Sequence, residues 1–191
     1  MMRIITGRAK GIKLETLAGD NTRPTAERAK EAVFSAIQFD IEGREVLDLY
    51  AGSGQMGLEA VSRGAASATL VDKSKDAVAV INKNVAKTKL SEGCRVFCMD
   101  AFDYIKTVKG RRKFDIVFID PPYALKAVPQ ALSALLDADL LKCGSIIVCE
   151  SEEQDVFESA PTLRDRFTIV KSAKYGYANI TILTPCKEDA Q

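Results

Sequence analysis

The 191-residue chain contains no histidine. That absence excludes a histidine-based triad, imidazole acid–base chemistry and histidine-ligated metals. No apolar run approaches the roughly eighteen residues that a membrane-spanning helix requires. The opening residues, MMRIITGRAKG, lack the apolar centre of a signal peptide. The expectation is a soluble, cytoplasmic protein with no membrane partner. Cysteine is sparse and unpatterned: Cys94, Cys98, Cys143, Cys149 and Cys186 make an odd count with no C-x-x-C pair. They read as reduced, small core residues, so neither a disulfide frame nor a metal site is expected. Repeats, low-complexity tracts and long linkers are missing too. What is left is 47% hydrophobic, enough for one domain with a real core, and a monomer is the simplest expectation.

Net charge is only +1, but it is unevenly spread. Residues 1–30 hold seven Lys/Arg against three acids, and the remainder holds 20 against 23. A basic arm on a slightly acidic body suits a polyanion held at one edge. A second basic knot, Lys109 to Lys113 (KGRRK), is a further candidate for phosphate contacts. Either cluster is also compatible with a merely solvated face.

Hydropathy patterning organises the chain. Residues 2–17 read as two short strands around a Gly7 to Gly11 turn, a basic hairpin. Thr25 is a plausible N-cap for an amphipathic helix over 26–38, in which Ala26, Ala29, Val33, Phe34 and Ile37 recur at helical spacing. From about 45 onward strands and helices alternate. Strands are expected near 45–50, 67–72, 94–99, 114–119 and 145–150, then 166–173 and 177–184. Such alternation predicts an α/β fold: a mostly parallel sheet covered on both faces, its last strands antiparallel or mixed. Residues 1–38 form an appendage and 39–191 the main domain.

Chemistry concentrates in two stretches. The first is Asp120-Pro121-Pro122-Tyr123, directly after the apolar run Phe114 to Ile119. Two prolines forbid continuation of that strand and leave carbonyls free at its carboxyl end, where open α/β sheets hold ligands. An acid, a rigid turn and an aromatic ring suit a flat base with an exocyclic NH2: Asp120 and a turn carbonyl accept from the amine, and Tyr123 stacks on the ring. A plain strand-ending turn would read the same way in isolation. The second stretch is VLDLYAGSGQMGLEA, 46–60, in which Tyr50, Ala51, Gly52, Ser53 and Gly54 form a turn between a strand and a helix. Gly52, Gly54 and Gly57 fit G-x-G-x-x-G, with Asp72 at the end of the next strand, so NAD must be weighed. Asp48, ahead of the glycines, suits a cationic amino-acid head, and Asp100 lies where an adenine amine would. Asp48, Asp72 and Asp100 end three successive strands, which fits S-adenosylmethionine better than NAD. Asp72 and Asp100 can alternatively cap the helices that follow them.

Taken together, RIITGRAKGIKL (3–14), RPTAERAKEAVFSAI (23–37), VLDLYAGSGQMGLEA (46–60), LVDKS (70–74), DAF (100–102) and FDIVFIDPPY (114–123) resemble the class I methyltransferases, and more narrowly the RsmD-type 16S rRNA guanine-N2 methyltransferases. The hairpin and RPT-helix are the more specific part, and Met56 is a departure expected to affect packing only. The resemblance implies a Rossmann-like class I methyltransferase sheet of seven strands that binds S-adenosylmethionine. It further implies methylation of one guanine of small-subunit ribosomal RNA, within an assembled or nearly assembled particle. Carried onto this sequence, it assigns catalysis to Asp120, Pro121, Pro122 and Tyr123. Cofactor binding falls to Asp48, Tyr50, Ala51, Gly52, Ser53, Gly54, Asp72, Lys73, Asp100 and Ala101, and RNA contact to Arg3, Arg8, Lys10, Arg23, Thr25 and Arg28. Two alternatives stay open: an adenine-N6 methyltransferase acting on DNA or RNA, and a non-catalytic RNA-binding assembly factor.

Overall fold

A computed structural model describes residues 2–17, 24–122 and 127–186, with backbone alone for 24–26. The elements run α1 (Pro24–Ala36), β1 (Glu45–Asp48), α2 (Gln55–Ser62), β2 (Ser67–Asp72), α3 (Lys75–Thr88), β3 (Cys94–Cys98), α4 (Ala101–Val108), β4 (Phe114–Ile119), α5 (Val128–Asp137), β5 (Leu141–Ser151), β6 (Phe167–Tyr175) and β7 (Ala178–Pro185). The seven strands form one sheet in the order β3-β2-β1-β4-β5-β7-β6. β1 to β5 are parallel, and β7 pairs antiparallel with both β5 and β6. This is the Rossmann-like α/β architecture expected from the alternating pattern.

Burial on both faces explains why the central strands are continuous apolar runs. All six residues of β4 are buried, and the sheet divides the core in two. On one side, Val33 and Phe34 of α1, Leu58 and Val61 of α2 and Ile81 of α3 pack with Val46, Leu70, Phe118 and Val148. On the other, Tyr104 and Ile105 of α4 and Leu132 and Leu135 of α5 pack with Leu47, Val71, Val117, Ile119 and Ile147. Side chains alternate between the faces along a strand. Asp48, Asp72 and Asp120 therefore share the parity of Val46, Leu70 and Phe118 and rise on the α1–α3 face.

Order in the sheet places the ligand edge. From β1 the chain winds outward through β2 and β3, then returns to β4 on the other flank of β1. The β1/β4 junction is thus the topological switch point, and the crevice beyond its carboxyl ends is the expected binding place.

Three boundaries depart from expectation for identifiable reasons. α1 starts at Pro24, not Ala26, because proline at a helix's first position already has the required φ. Thr25 therefore lies inside the helix and is not its N-cap. β5 begins at Leu141, four residues early, because it passes through a register shift opposite Phe114–Ile116 where Gly144 takes φ 70°. The arm is a narrow hairpin with a single bridge, Arg3 to Lys13, closed by Ile4 N–H to Ile12 O at 3.0 Å and Gly11 N–H to Ile4 O at 2.8 Å.

Candidate active site

The crevice at the switch point is a cavity of about 250 Å3. Asp48, Tyr50, Ala51, Gly52 and Ser53 from the β1–α2 turn line one wall, and Ile119, Asp120 and Glu150 the opposite one. Met2 of the arm and Lys30 of α1 close it from the side. Asp120 is open to the crevice, Pro121 is buried and Pro122 exposed. Tyr123 and Arg23 lie outside the described residues.

The glycines act differently from one another. Gly52 has φ 54°, and a Cβ there would meet nothing within 4 Å, so its backbone faces open space and can approach a ligand closely. Gly54 has φ 79°, and a Cβ would sit 3.1 Å from Leu70. A Cβ on Gly57 would sit 3.0 Å from the same leucine, so these two let α2 lie against β2. Gly54 thus supports the turn from behind and does not line the cavity.

Among the strand-end acids, Asp48 is buried and accepts from Gly57 N–H at 3.1 Å. Burial, eased by that N–H and reinforced by nearby Asp72, pushes its carboxyl up to about 7. An isolated buried carboxyl of this kind is satisfied by an incoming cation. Asp72 holds the turn: its Oδ2 accepts from Gly52 N–H at 2.9 Å and its Oδ1 from Ser74 N–H at 2.8 Å. Ser74, not Asp72, caps α3, accepting from Ala77 N–H at 3.3 Å. Asp100 caps α4 through Phe102 N–H at 2.9 Å. Asp72 and Asp100 stand at the neighbouring strand ends, outside the cavity lining, with exposed Lys73 and buried Ala101 beside them. The Tyr50 hydroxyl is buried without a hydrogen-bond partner among the described residues. Burial first, then Asp100, pushes it up to about 12. A buried acid, an open glycine backbone and an unpartnered hydroxyl fit a ligand with a cationic head and a polar middle, as S-adenosylmethionine has.

Asp120 is raised well above the ordinary carboxylate range, chiefly by the protein packed around it and then by Glu150 and Asp48. Because the side chain still reaches the open crevice, water moderates that rise. Raised in this way, the group holds a proton more readily than an ordinary carboxylate.

The candidate RNA contacts divide. Arg3 is half-exposed and pairs with Glu27 at 3.3 Å, and Arg28 is exposed on α1. Arg8 and Lys10 are exposed at the hairpin tip, where Arg8 N–H bonds to Ser62 O at 2.8 Å. That tip sits at the far end of α2, roughly 12 Å of helix away from the glycine turn. The 109–113 knot lies apart from the crevice. It precedes β4 at the amino edge of the sheet, roughly 20 Å from Asp120. Arg112 pairs there with Glu45 at 3.5 Å, and Lys113 with Asp139 at 2.7 Å.

Three important residues escaped the sequence reading. Glu59 of α2 has no exposure and accepts from Ile5 N–H at 2.7 Å, Thr6 N–H at 3.0 Å and Arg63 Nε at 2.7 Å, with Lys30 Nζ at 3.6 Å. Lys30, itself buried, donates to Arg3 O at 2.8 Å. Asn84 of α3 donates to Ser53 O and Glu15 O and accepts from Glu15 N–H, tying the arm's exit to the glycine turn. The signal for Glu59 was an acid inside the apolar run Gly57-Leu58-Glu59-Ala60-Val61.

Comparison with known proteins agrees with this geometry. The family model described as "Conserved hypothetical protein 95" matches residues 2–184. Ribosomal RNA small subunit methyltransferase D of Haemophilus influenzae is 36% identical over 80% of this chain and 79% of its own. The chain belongs to the RsmD methyltransferase family. Among solved structures, yhhF of Escherichia coli, a candidate methyltransferase, superposes with a TM-score of 0.82 at 29% identity over 96% of this chain and 97% of its own. A SAM-dependent methyltransferase from Agrobacterium tumefaciens shares the fold, with a TM-score of 0.65 at 22% identity over 85% and 61% of the two chains. The sheet, the glycine turn and Asp120 at the end of β4 are thus assembled here around one crevice. Among the described residues no helix is long and apolar enough to cross a membrane, and no acid–cysteine cluster suits a metal.

Proposed function

We propose that this chain methylates the exocyclic N2 amine of one guanine in small-subunit ribosomal RNA. The observation that carries this reading is the meeting of Asp48, Gly52 and Asp120 in one crevice at the carboxyl ends of β1 and β4. Membership of the RsmD family supports ribosomal RNA methylation. The methyl donor is S-adenosylmethionine, which supplies an already activated methyl on a sulfonium. Asp48 takes its cationic amino-acid head, and the Gly52 backbone with the Tyr50 hydroxyl its middle. Asp72, Lys73, Asp100 and Ala101 take its ribose and adenine end.

With the methyl already activated, orientation supplies most of the acceleration. The N2 lone pair of guanine is delocalised into the ring. Hydrogen bonds from N2–H to Asp120 and to a carbonyl of the proline turn favour pyramidalisation, and Asp120 accepts the proton as the C–N bond forms and the methyl–sulfur bond of the donor breaks, its electron pair staying on sulfur. Pro121 and Pro122 hold that carbonyl in place, and Tyr123 stacks on the base. A base entering this pocket must leave its stack, at roughly a few kcal/mol. Residues 1–38 serve as the RNA-binding appendage of the 39–191 methyltransferase domain. Arg3 and Arg28 grip phosphates near the crevice and Arg8 and Lys10 further out, with Arg23 and Thr25 completing the grip, so affinity weakens as salt rises. The substrate is an assembled or nearly assembled subunit in the cytoplasm, and the protein acts as a monomer.

The test is to incubate small subunits from cells lacking this protein with the purified chain and labelled donor, then identify the modified nucleoside. N2-methylguanosine at a single position is expected. N6-methyladenosine would favour an adenine enzyme, and no incorporation a non-catalytic assembly factor.

A further inference from the structure

We propose that Glu150 reads the target base as guanine, its carboxylate accepting from N1–H while Asp120 accepts from N2–H. The inference rests on the guanine reading above and names the residue that enforces it.

Position is the first argument. β5 pairs with β4 with Ile119 opposite Cys149. Asp120 and Glu150 are the residues that follow this last pair, Asp120 just beyond β4 and Glu150 within β5, on neighbouring parallel strands that lie roughly 4.8 Å apart. Both continue the parity of Phe118 and Val148, so both side chains rise on the crevice face. Glu150 lines the crevice together with Asp48 and Gly52. It also lines a second cavity of about 260 Å3, bounded by Pro121, by Ala127 to Pro129 and by the 151–159 segment. Glu150 therefore stands in the wall between the cofactor side and a base-sized volume beyond the proline turn. Glu150 exerts the largest charge effect on Asp120, so the two carboxylates sense each other.

Chemistry is the second argument. Along its Watson–Crick edge guanine presents two adjacent donors, N2–H and N1–H, and two side-by-side carboxylates match that pair. Adenine presents its amine followed by the N1 lone pair, which would face a carboxylate oxygen with like polarity. The second cavity is also lined by Glu152, Glu153, Asp155 and Glu158. That acidic lining repels phosphate, so the volume suits an extruded base and not the RNA backbone.

The experiment uses small subunits reconstituted with 2-aminopurine at the modified position. This base keeps the N2 amine but carries a lone pair at N1 and lacks O6. Wild-type kcat/KM is expected to favour guanine by roughly 10- to 100-fold, the worth of one charge-assisted hydrogen bond. Glu150→Gln should narrow that ratio to about 3-fold or less, because its amide can donate to the bare N1, while calorimetric affinity for S-adenosylmethionine persists. Equal wild-type rates on the two bases, or a ratio unmoved in Glu150→Gln, overturns the proposal. Should Glu150→Gln lose cofactor binding, Glu150→Asp takes its place, the ratio narrowing as the carboxylate retreats by one methylene; an unmoved ratio again overturns it. If the wild-type chain modifies no guanine N2 at all, the functional reading fails. If it does so and the ratio stays fixed, only the role of Glu150 fails.

Discussion

Ile5 N–H donates to Glu59 Oε2 at 2.7 Å, so a carboxylate with no exposure fastens the basic arm to the helix that leaves the glycine turn. The same carboxylate faces Lys30, whose Nζ holds Arg3 O. Desolvation lowers the Lys30 ammonium below its ordinary range, and Glu59 opposes that shift.

Glu59→Ala leaves Lys30 and Arg63 without their buried partner. A loss of about 3–5 kcal/mol in folding stability is expected from urea unfolding. Glu59→Gln, which keeps one acceptor oxygen for the arm's backbone, should lose less. Equal stabilities for wild type and Glu59→Ala would remove the clamp from the account.

At Gly7 the constraint is steric. The residue has φ 86°, and a Cβ would lie 1.8 Å from Ser62 O. Gly7→Ala must displace the hairpin tip and its Arg8 N–H to Ser62 O bond, with a cost of about 1–2 kcal/mol from the backbone conformation alone. Affinity for small subunits should fall with it. Unchanged melting and unchanged affinity would count against a docked tip.

Asp48 links stability to pH. Its folded-state carboxyl lies at about 7, above the ordinary value of 3.8 that the unfolded chain has. Between those values the native state keeps a proton that the unfolded state releases, so stability falls as pH rises from about 4 to about 7. The contribution is of order 4 kcal/mol. Asp48→Asn removes it, and unfolding midpoints measured at pH 5 and pH 8 should lie closer together than in wild type. The same variant should bind S-adenosylmethionine more weakly. Identical pH slopes in both proteins would contradict the assignment.

Asp120 accepts a proton only when ionised, so single-turnover methylation should rise with pH to a midpoint above the usual carboxylate range. Removing the neighbouring charge in Glu150→Gln should move that midpoint down. A midpoint that stays where it was would separate the rate profile from Asp120.

Much of this was legible in the sequence because the decisive signals are local. Apolar runs ending in acids gave the strands and their carboxyl edge, and two prolines after Ile119 fixed where β4 stops. The packing of Val46, Leu70 and Phe118 then showed that Asp48, Asp72 and Asp120 share one face. What escaped depends on contacts between segments far apart in the chain. Glu59 meets Ile5 across 54 positions, and Asn84 meets Glu15 across 69. Glu150 became visible only when pairing set β5 beside β4. The 109–113 knot shows the converse: nearness to Asp120 in sequence is distance in space when a strand lies between.

The most direct measurement is single-turnover methylation of small subunits by Asp120→Ala, with S-adenosylmethionine affinity determined by calorimetry on the same preparation. The account predicts a rate reduced by about 100-fold or more, with cofactor affinity within a few-fold of wild type. Methylation at the native rate would contradict it, since the amine would then be held and deprotonated somewhere other than the tip of β4.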